Sequence, residues 1–172
     1  MPEYPPDSPD FKVSFKRAGP SGKMALIISS WFGSGLAPIL PGTIGSLAGL
    51  PFVIVLSSLG AVYTGIFILI IIPLAIWASA VSQRLLSRND PPEVVIDEVA
   101  GIFLSLFLLP PSWLNIILGF FLFRIFDILK PFPIGFIDRN MKGGLGIVLD
   151  DILAGIYANI CLRGLMLLMG HL

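Results

Sequence analysis

Long apolar stretches dominate the chain, and each is bounded by a short polar segment or by glycine and proline. They cover residues 24–40, 43–59, 61–81, 94–109, 112–129 and 147–169. A helix needs about 20 apolar residues to cross a bilayer, and 43–59, 61–81 and 147–169 approach or exceed that length. Two glycines and Pro38 interrupt 24–40, which favours a re-entrant or interfacial segment there. Apolar and polar residues do not alternate over any useful length, so the predicted fold class is all-α.

Two of the apolar stretches are joined by an uncharged turn. A Pro-Pro sequence at 110–111 divides the region 94–129, and proline ends a helix because it lacks an N–H and clashes with the preceding turn. We therefore expect a helical hairpin over 94–129. At 1.5 Å per residue, Asp97 and Asp127 lie about 20–25 Å from the turn, so both acids reach similar heights. The predicted architecture is a multihelical integral membrane protein with about four to five membrane-embedded segments, including this hairpin.

Composition also indicates a membrane protein. Of 172 residues, 55% are hydrophobic and 13% are charged, and the mean hydropathy is +0.91, whereas soluble domains carry about 25% charged residues. The formal net charge is zero, so there is no basic field to attract nucleic acid. Residues 1–23 are polar and predicted to form a flexible N-terminal tail. Residues 24–172 are predicted to form a single membrane-embedded domain, and its oligomeric state is left open.

Most basic residues lie outside the apolar stretches. They are Lys12, Lys16, Arg17 and Lys23 in the predicted tail, Arg84 and Arg88 in one loop, and Lys130, Arg139 and Lys142 in another. The turns at 57–60 and 109–112 carry no charge. Because loops rich in Lys and Arg stay on the cytoplasmic side of a membrane, we expect a multi-pass protein whose tail and basic loops face the cytoplasm.

Five carboxylates lie inside or beside apolar stretches, where a buried charge is costly unless a cation meets it. They are Asp97, Glu98, Asp127, Asp150 and Asp151. Two pairs are adjacent in sequence, and like charges this close repel each other unless they share a counter-ion. A hard divalent cation such as Mg²⁺ is the simplest counter-ion for oxygen ligands. A sixth acid, Asp138, fits a loop or supporting position.

Groups that bind phosphate are predicted near these acids. They are the side chains of Arg124, Lys130, Arg139 and Thr43 and the backbone amides of Gly143 and Gly144. Arg124, Asp127 and Lys130 follow one another at three-residue intervals and therefore share one side of a helix. Thr43 follows Pro-Gly at a helix start, where its hydroxyl can cap the helix or meet a phosphate oxygen. Oxygen ligands for Mg²⁺ together with cations for phosphate suit phosphoryl chemistry on a lipid headgroup.

Missing residue types narrow the mechanism. His171 is the only histidine and Cys161 the only cysteine, so a phosphohistidine route or a Ser-His-Asp set is not expected. Two routes stay open, namely a metal-activated water with a carboxylate as base and an aspartyl nucleophile.

Four ordered segments carry a family resemblance: FGSGLAPILPGTIGSLAGLP, VVIDEVAG, FRIFDILKPFPI and FIDRNMKGGLGIVLDDILAG. Over about residues 31–160 the chain resembles the phosphatidylglycerophosphatase A family. The resemblance implies a Mg²⁺-dependent phosphatase of the bacterial cytoplasmic (inner) membrane. Such enzymes convert phosphatidylglycerophosphate to phosphatidylglycerol in phospholipid biosynthesis. Lys142 stands where some relatives carry a histidine, so no role of that histidine transfers here.

The residues and the resemblance together predict one site that faces the cytoplasm. The catalytic and Mg²⁺-binding residues are expected to be Asp97, Glu98, Asp127, Asp150 and Asp151, with Lys130 also catalytic. Arg124, Lys130, Arg139, Thr43, Gly143 and Gly144 are expected to bind the substrate phosphate. The acyl chains of the phospholipid substrate would stay in the membrane.

Two other functions share parts of this pattern. A small cation transporter or channel also uses intramembrane acids, although acids on a transport path are expected near the midplane without phosphate-binding cations beside them. A CDP-alcohol phosphotransferase-like enzyme also combines clustered aspartates with Mg²⁺, but its DG…AR…G…D…D run is absent from the sequence.

Overall fold

A computed structural model describes residues 9–169, and helices are the only regular structure in this range. The α-helices are α1 (Phe11–Arg17), α2 (Pro20–Ser29), α3 (Pro41–Leu59), α4 (Ala61–Leu86), α5 (Ile96–Leu106), α6 (Trp113–Leu129), α7 (Ile134–Asn140) and α8 (Gly143–Leu168). A short 3₁₀ turn, Ser34–Leu36, lies between α2 and α3. The all-α prediction is confirmed over the described residues.

Three helices are long and apolar enough to cross a membrane. These are α3, α4 and α8, whose apolar windows have mean hydropathies of 1.7, 2.4 and 1.7. The predicted hairpin is formed by α5 and α6, which pack against each other across the turn at 107–112. Its first helix is shorter than predicted, because eleven residues span only about 16 Å, roughly half of a bilayer core.

The chain direction brings several helix ends together. Short connections make α3, α5 and α8 run one way and α4 and α6 the other. The first residues of three helices and the last residues of two therefore meet at one end of the bundle, which we call the site end. Every acid predicted for the site lies at this end.

Helix α5 forms the centre of the bundle. Nine of its eleven residues are buried, and it packs against α3, α4, α6 and α8. Both α5 and α8 carry the pattern D-x-x-A-G, from Asp97 to Gly101 and from Asp151 to Gly155. Each glycine therefore lies one turn after an aspartate on the same helix face.

The two glycines allow α5 and α8 to cross with little space between their backbones. A Cβ atom at Gly155 would collide with the carbonyl oxygen of Gly101, and one at Gly101 would lie 2.9 Å from the backbone oxygen of Asp151. Such distances leave no room for a side chain. The close crossing places Asp97 beside Asp151.

Polar side chains of α8 donate hydrogen bonds to the backbone carbonyls at the C-terminal end of α5. Asn159 Nδ2 donates to the carbonyl oxygens of Leu104, Ser105 and Phe107 at 3.1, 3.1 and 2.9 Å. Arg163 Nε donates to Asn159 Oδ1 at 2.8 Å, and its Nη2 donates to the carbonyl oxygen of Leu108 at 3.1 Å. The last carbonyls of a helix have no partner within the helix, so these donors allow α5 to end inside the bundle.

The structure corrects the sequence analysis in two segments. Residues 11–23 of the predicted tail contain α1 and the start of α2. Ser14 of α1 is buried, and its hydroxyl donates to the carbonyl oxygen of Leu85 at 3.0 Å, which ties α1 to the end of α4. Residues 1–8 of the predicted tail lie outside the described residues. Helix α7 lies in a segment that the sequence analysis assigns to a loop.

Candidate functional site

A polar cavity of about 480 Å³ is sunk into the site end of the bundle. Its walls come from the start of α3, the loop between α4 and α5, the first turn of α5, the end of α6, and the segment from α7 into α8. It is lined by the predicted site residues Thr43, Asp97, Glu98, Arg124, Asp127, Lys130, Arg139, Gly143, Asp150 and Asp151. Residues far apart in sequence therefore meet in one place.

The remaining predicted site residue, Gly144, lies elsewhere. A Cβ atom there would collide with the backbone of α4 at Ile76 and Ala80. Gly144 therefore allows α8 to begin against α4, and it is not among the residues that line the cavity, while its phosphate-binding role stays a prediction. Gly143 has a φ of +80°, a left-handed conformation that glycine adopts at no steric cost.

Three carboxylates form a cluster at the bottom of the cavity. One oxygen from each of Asp97, Glu98 and Asp151 lies within 4.8 Å of the other two. Asp97 and Asp151 are only 6% and 4% exposed. Asp97 Oδ1, Glu98 Oε2 and Asp151 Oδ1 have no hydrogen-bond partner among the described residues. Buried carboxylates without partners are strongly unfavourable unless a cation compensates them, so this donor set fits a hard divalent ion.

The other two predicted acids are paired with cations. Asp150 Oδ2 accepts a hydrogen bond from Lys130 Nζ at 2.7 Å, and the same ammonium group donates to Asp138 Oδ1 at 2.6 Å. Burial alone would lower the pKa of Lys130, but its hydrogen bonds to Asp138 and Asp150 raise the pKa above the usual value. Lys130 is therefore charged at any physiological pH and links α6, α7 and α8.

Arg124 and Asp127 form the second ion pair, with 2.7 Å between Arg124 Nη1 and Asp127 Oδ2. The guanidinium is mostly buried, and its Nε has no hydrogen-bond partner among the described residues. Gly42, at the start of α3, lets this helix approach the site. A Cβ atom at Gly42 would collide with Glu98 Oε1 and would lie 3.6 Å from Arg124 Nη1. Thr43 follows Gly42 at the cavity wall.

Several residues that line the cavity were not predicted. They are Gln83, Asn89, Asp90 and Lys142, together with Asp138, which had been given only a supporting position. Lys142 directly precedes the glycine run that begins α8. This position in the sequence is the signal that could have indicated that Lys142 lines the cavity. The other residues lie in or near loops, where the apolar pattern does not indicate which way a side chain points. The site therefore has a more strongly charged rim than the sequence suggested.

Comparisons with known proteins agree with the geometry. Residues 27–166 match the family model described as Phosphatidylglycerophosphatase A. The phosphatidylglycerophosphatase A of Escherichia coli K12 is 36% identical over 146 residues, covering 84% of this chain and 83% of the relative. That of Haemophilus influenzae Rd is 42% identical over 134 residues, covering 77% and 82%. A Bacteroides thetaiotaomicron protein provisionally named a phosphatidylinositol-3-phosphatase is 34% identical over 148 residues, covering 78% and 89%. No solved structure matches the chain.

Proposed function

Since the chain belongs to the phosphatidylglycerophosphatase A family, and is therefore a phosphatase, we propose that it hydrolyses the terminal phosphomonoester of phosphatidylglycerophosphate in a Mg²⁺-dependent reaction. The products are phosphatidylglycerol and inorganic phosphate, and the reaction serves phospholipid biosynthesis. The protein would act in the bacterial inner membrane, with the cavity facing the cytoplasm. The family supports the substrate class, the acid cluster supports the metal, and the basic loops support the orientation.

The buried cluster of Asp97, Glu98 and Asp151 carries the proposal. Its unpartnered oxygens provide the hard anionic ligands that Mg²⁺ prefers, and we assign these three acids to hold the ion. When bound, Mg²⁺ supplies positive charge that offsets the charge of the phosphate oxygens and lowers the pKa of bound water. Without a cation, three adjacent carboxylates in a buried site would repel one another.

Arg124 is the chain's own candidate for binding the phosphomonoester. Its guanidinium is held by Asp127 at 2.7 Å, while its Nε is left without a partner among the described residues. A guanidinium forms strong charge-assisted hydrogen bonds to phosphate oxygens. Asp127 fixes the direction of these donors, and Thr43 at the cavity wall adds a hydroxyl donor. The site therefore offers a carboxylate cluster for the metal and an adjacent donor set for phosphate.

Lys130 supports the site in a different way from that predicted. Both of its short contacts go to carboxylates, Asp138 and Asp150, so its charge is already balanced. We assign Lys130 to hold α7 and α8 in position and to keep Asp150 from adding another unpaired negative charge to the metal cluster. This pairing distinguishes Asp150 from the three acids that we assign to the ion.

The membrane arrangement suits a lipid substrate. Helices α3, α4 and α8 have the length and composition to cross a bilayer, and the cavity lies at one end of them. The basic residues of the loops gather at this same end, which the positive-inside rule places in the cytoplasm. A lipid could keep its acyl chains beside the apolar helices while its headgroup enters the cavity.

The alternative of a cation channel or transporter receives less support. The acid cluster lies at one end of the bundle rather than at its middle, and two ion-paired cations, Arg124 and Lys130, stand beside it. Acids on a transport path are expected near the membrane midplane without phosphate-binding cations beside them. The Bacteroides relative is named for a different phosphorylated lipid, so phosphatidylinositol 3-phosphate belongs among the substrates tested.

The direct test measures phosphate release by the detergent-solubilised protein from phosphatidylglycerophosphate, with Mg²⁺, without it, and with a chelator. We expect release only with Mg²⁺, and Asp97→Asn should reduce it by at least about 100-fold because the substitution removes an anionic ligand. Asp10→Asn is the matched control, since Asp10 is exposed and does not line the cavity.

A second measurement separates metal binding from turnover. At 100 times its Kd, Mg²⁺ should stabilise the wild-type protein by about 2.7 kcal/mol and raise its unfolding temperature, with a much smaller effect on Asp97→Asn. Phosphate release that survives chelation, or equal stabilisation of both proteins by Mg²⁺, would refute the metal assignment. Absence of phosphate release from every phosphorylated lipid tested would refute the proposed function itself.

A further inference from the structure

We propose that Arg139 and Lys142 form a second anion-binding subsite at the mouth of the cavity, and that it binds the phosphodiester of the lipid headgroup. The inference rests on the proposed function, because it concerns how the same substrate is recognised. It gives these residues a role separate from that of the groups that hold the terminal phosphate.

The four cations that line the cavity differ in whether a carboxylate pairs with them. Arg124 is paired with Asp127, and Lys130 is paired with two carboxylates. Arg139 and Lys142 are exposed at the rim, and neither has a carboxylate within 4.0 Å in the part of the chain that the structure describes. The two rim cations are therefore the ones available to bind a further anionic group.

The backbone keeps the rim cations apart from the acid cluster. Lys142 precedes α8 in an extended conformation, and it lies nine residues before Asp151, the member of the acid cluster on α8. Nine residues of α-helix correspond to about 13 Å along its axis. Arg139 lies in the last turn of α7, on the segment that leads into Lys142. The two cations thus sit at the outer end of the cavity, above the buried carboxylates.

The chemistry of the substrate matches this separation. Phosphatidylglycerophosphate carries a phosphodiester next to its diacylglycerol and a phosphomonoester at the far end of the headgroup, with a glycerol unit between them. One site cannot hold both groups. With the phosphomonoester beside Arg124 and the metal ligands, the singly charged phosphodiester would be repelled by the acids unless cations meet it elsewhere. Arg139 and Lys142 provide those cations and thereby favour lipids that carry both phosphates.

The test compares two lipids that share a phosphomonoester. Phosphatidylglycerophosphate has the additional phosphodiester, and phosphatidic acid does not. In the double variant Arg139→Gln/Lys142→Gln, we expect the ratio of kcat/KM for the first lipid to kcat/KM for the second to fall at least tenfold, mainly through a higher KM for phosphatidylglycerophosphate. Lys142→Arg combined with native Arg139 should retain most of the ratio, because the charge is kept. Arg84→Gln, an exposed cation outside the cavity, is the control and should leave the ratio unchanged.

Inhibition by phosphatidylglycerol gives an independent measurement, since this product keeps the phosphodiester and lacks the phosphomonoester. Its inhibition constant should rise about tenfold in the double variant and stay the same in Arg84→Gln. An unchanged substrate ratio together with an unchanged inhibition constant would overturn the subsite, even with full wild-type activity. If the wild-type protein hydrolyses phosphatidic acid but not phosphatidylglycerophosphate, both the subsite and the proposed substrate fail. A double variant that loses both activities equally also counts against the subsite.

Discussion

Replacing Gly155 by alanine tests whether the close crossing of α5 and α8 sets the geometry of the acid cluster. The new Cβ atom would collide with the carbonyl oxygen of Gly101, and it would lie 3.1 Å from both the carbonyl carbon of Gly101 and Leu104 Cβ. Two of these contacts involve backbone atoms, which cannot rotate away as a flexible side chain can. Relief therefore requires α5 and α8 to separate.

The size of the effect follows from these distances. Carbon atoms pack at about 3.5–4.0 Å, so the two contacts at 3.1 Å alone require a local separation of about 0.4–0.9 Å, and the collision with the carbonyl oxygen requires at least as much. Overpacking of this kind costs about 1–3 kcal/mol of stability. The displacement also reaches the carboxylates one turn away, and a shift of about 1 Å at a catalytic site can cost about 100-fold in rate. We therefore expect Gly155→Ala to lower phosphate release by about 10- to 100-fold.

Gly164→Ala provides a control on the same helix. A Cβ atom at Gly164 has no neighbour within 4 Å, and alanine favours a helix over glycine by about 1 kcal/mol. Phosphate release from phosphatidylglycerophosphate at several Mg²⁺ concentrations, together with thermal unfolding in detergent, measures both effects. Should Gly155→Ala match Gly164→Ala in turnover, Mg²⁺ dependence and unfolding temperature, the crossing does not determine the site geometry.

Three further substitutions separate the roles of the polar groups. Asp127→Asn should lower phosphate release by about 100-fold while membrane insertion is preserved, because Arg124 loses the carboxylate that directs it; near-normal turnover in an activity assay would remove Asp127 from the site. Lys130→Met should lower the unfolding free energy by about 3–5 kcal/mol, because it leaves the buried carboxylate of Asp150 without its cation; an unchanged denaturation midpoint would contradict this. Asn159→Ala should lower the unfolding free energy by about 1–3 kcal/mol for each buried carbonyl left without a donor, and it should leave the KM unchanged. Denaturation and enzyme kinetics on one preparation measure both quantities.

The apolar pattern predicts the long helices well because each of them consists of one long apolar stretch of sequence. The expected segments at 43–59, 61–81 and 112–129 correspond closely to α3, α4 and α6, and α4 continues to Leu86. Helix α1 was missed because seven residues rich in lysine carry no long apolar face. Its position depends on contacts with α2 and α4, such as the hydrogen bond from Ser14 to Leu85, and the sequence does not show these contacts.

The acids of the site were found because their neighbours in sequence are apolar, which makes a carboxylate conspicuous. Their division into clustered and paired groups could not be predicted, because it depends on three-dimensional neighbours. Asp150 and Asp151 are adjacent in sequence, yet one contacts Lys130 and the other joins Asp97 and Glu98. Neighbouring residues on a helix point about 100° apart, so adjacent acids readily acquire different partners.

The dependence of α5 on α8 has a consequence for how the protein is made. The C-terminal carbonyls of α5 receive their donors from Asn159 and Arg163, which are synthesised more than fifty residues later. Until those residues leave the ribosome, α5 has unsatisfied carbonyls and too little length to stay in the lipid as a spanning segment. The helix would therefore reach its final position only when α8 inserts beside it. The cluster of Asp97, Glu98 and Asp151 takes residues from both helices, so it would be completed at that same late step of biosynthesis.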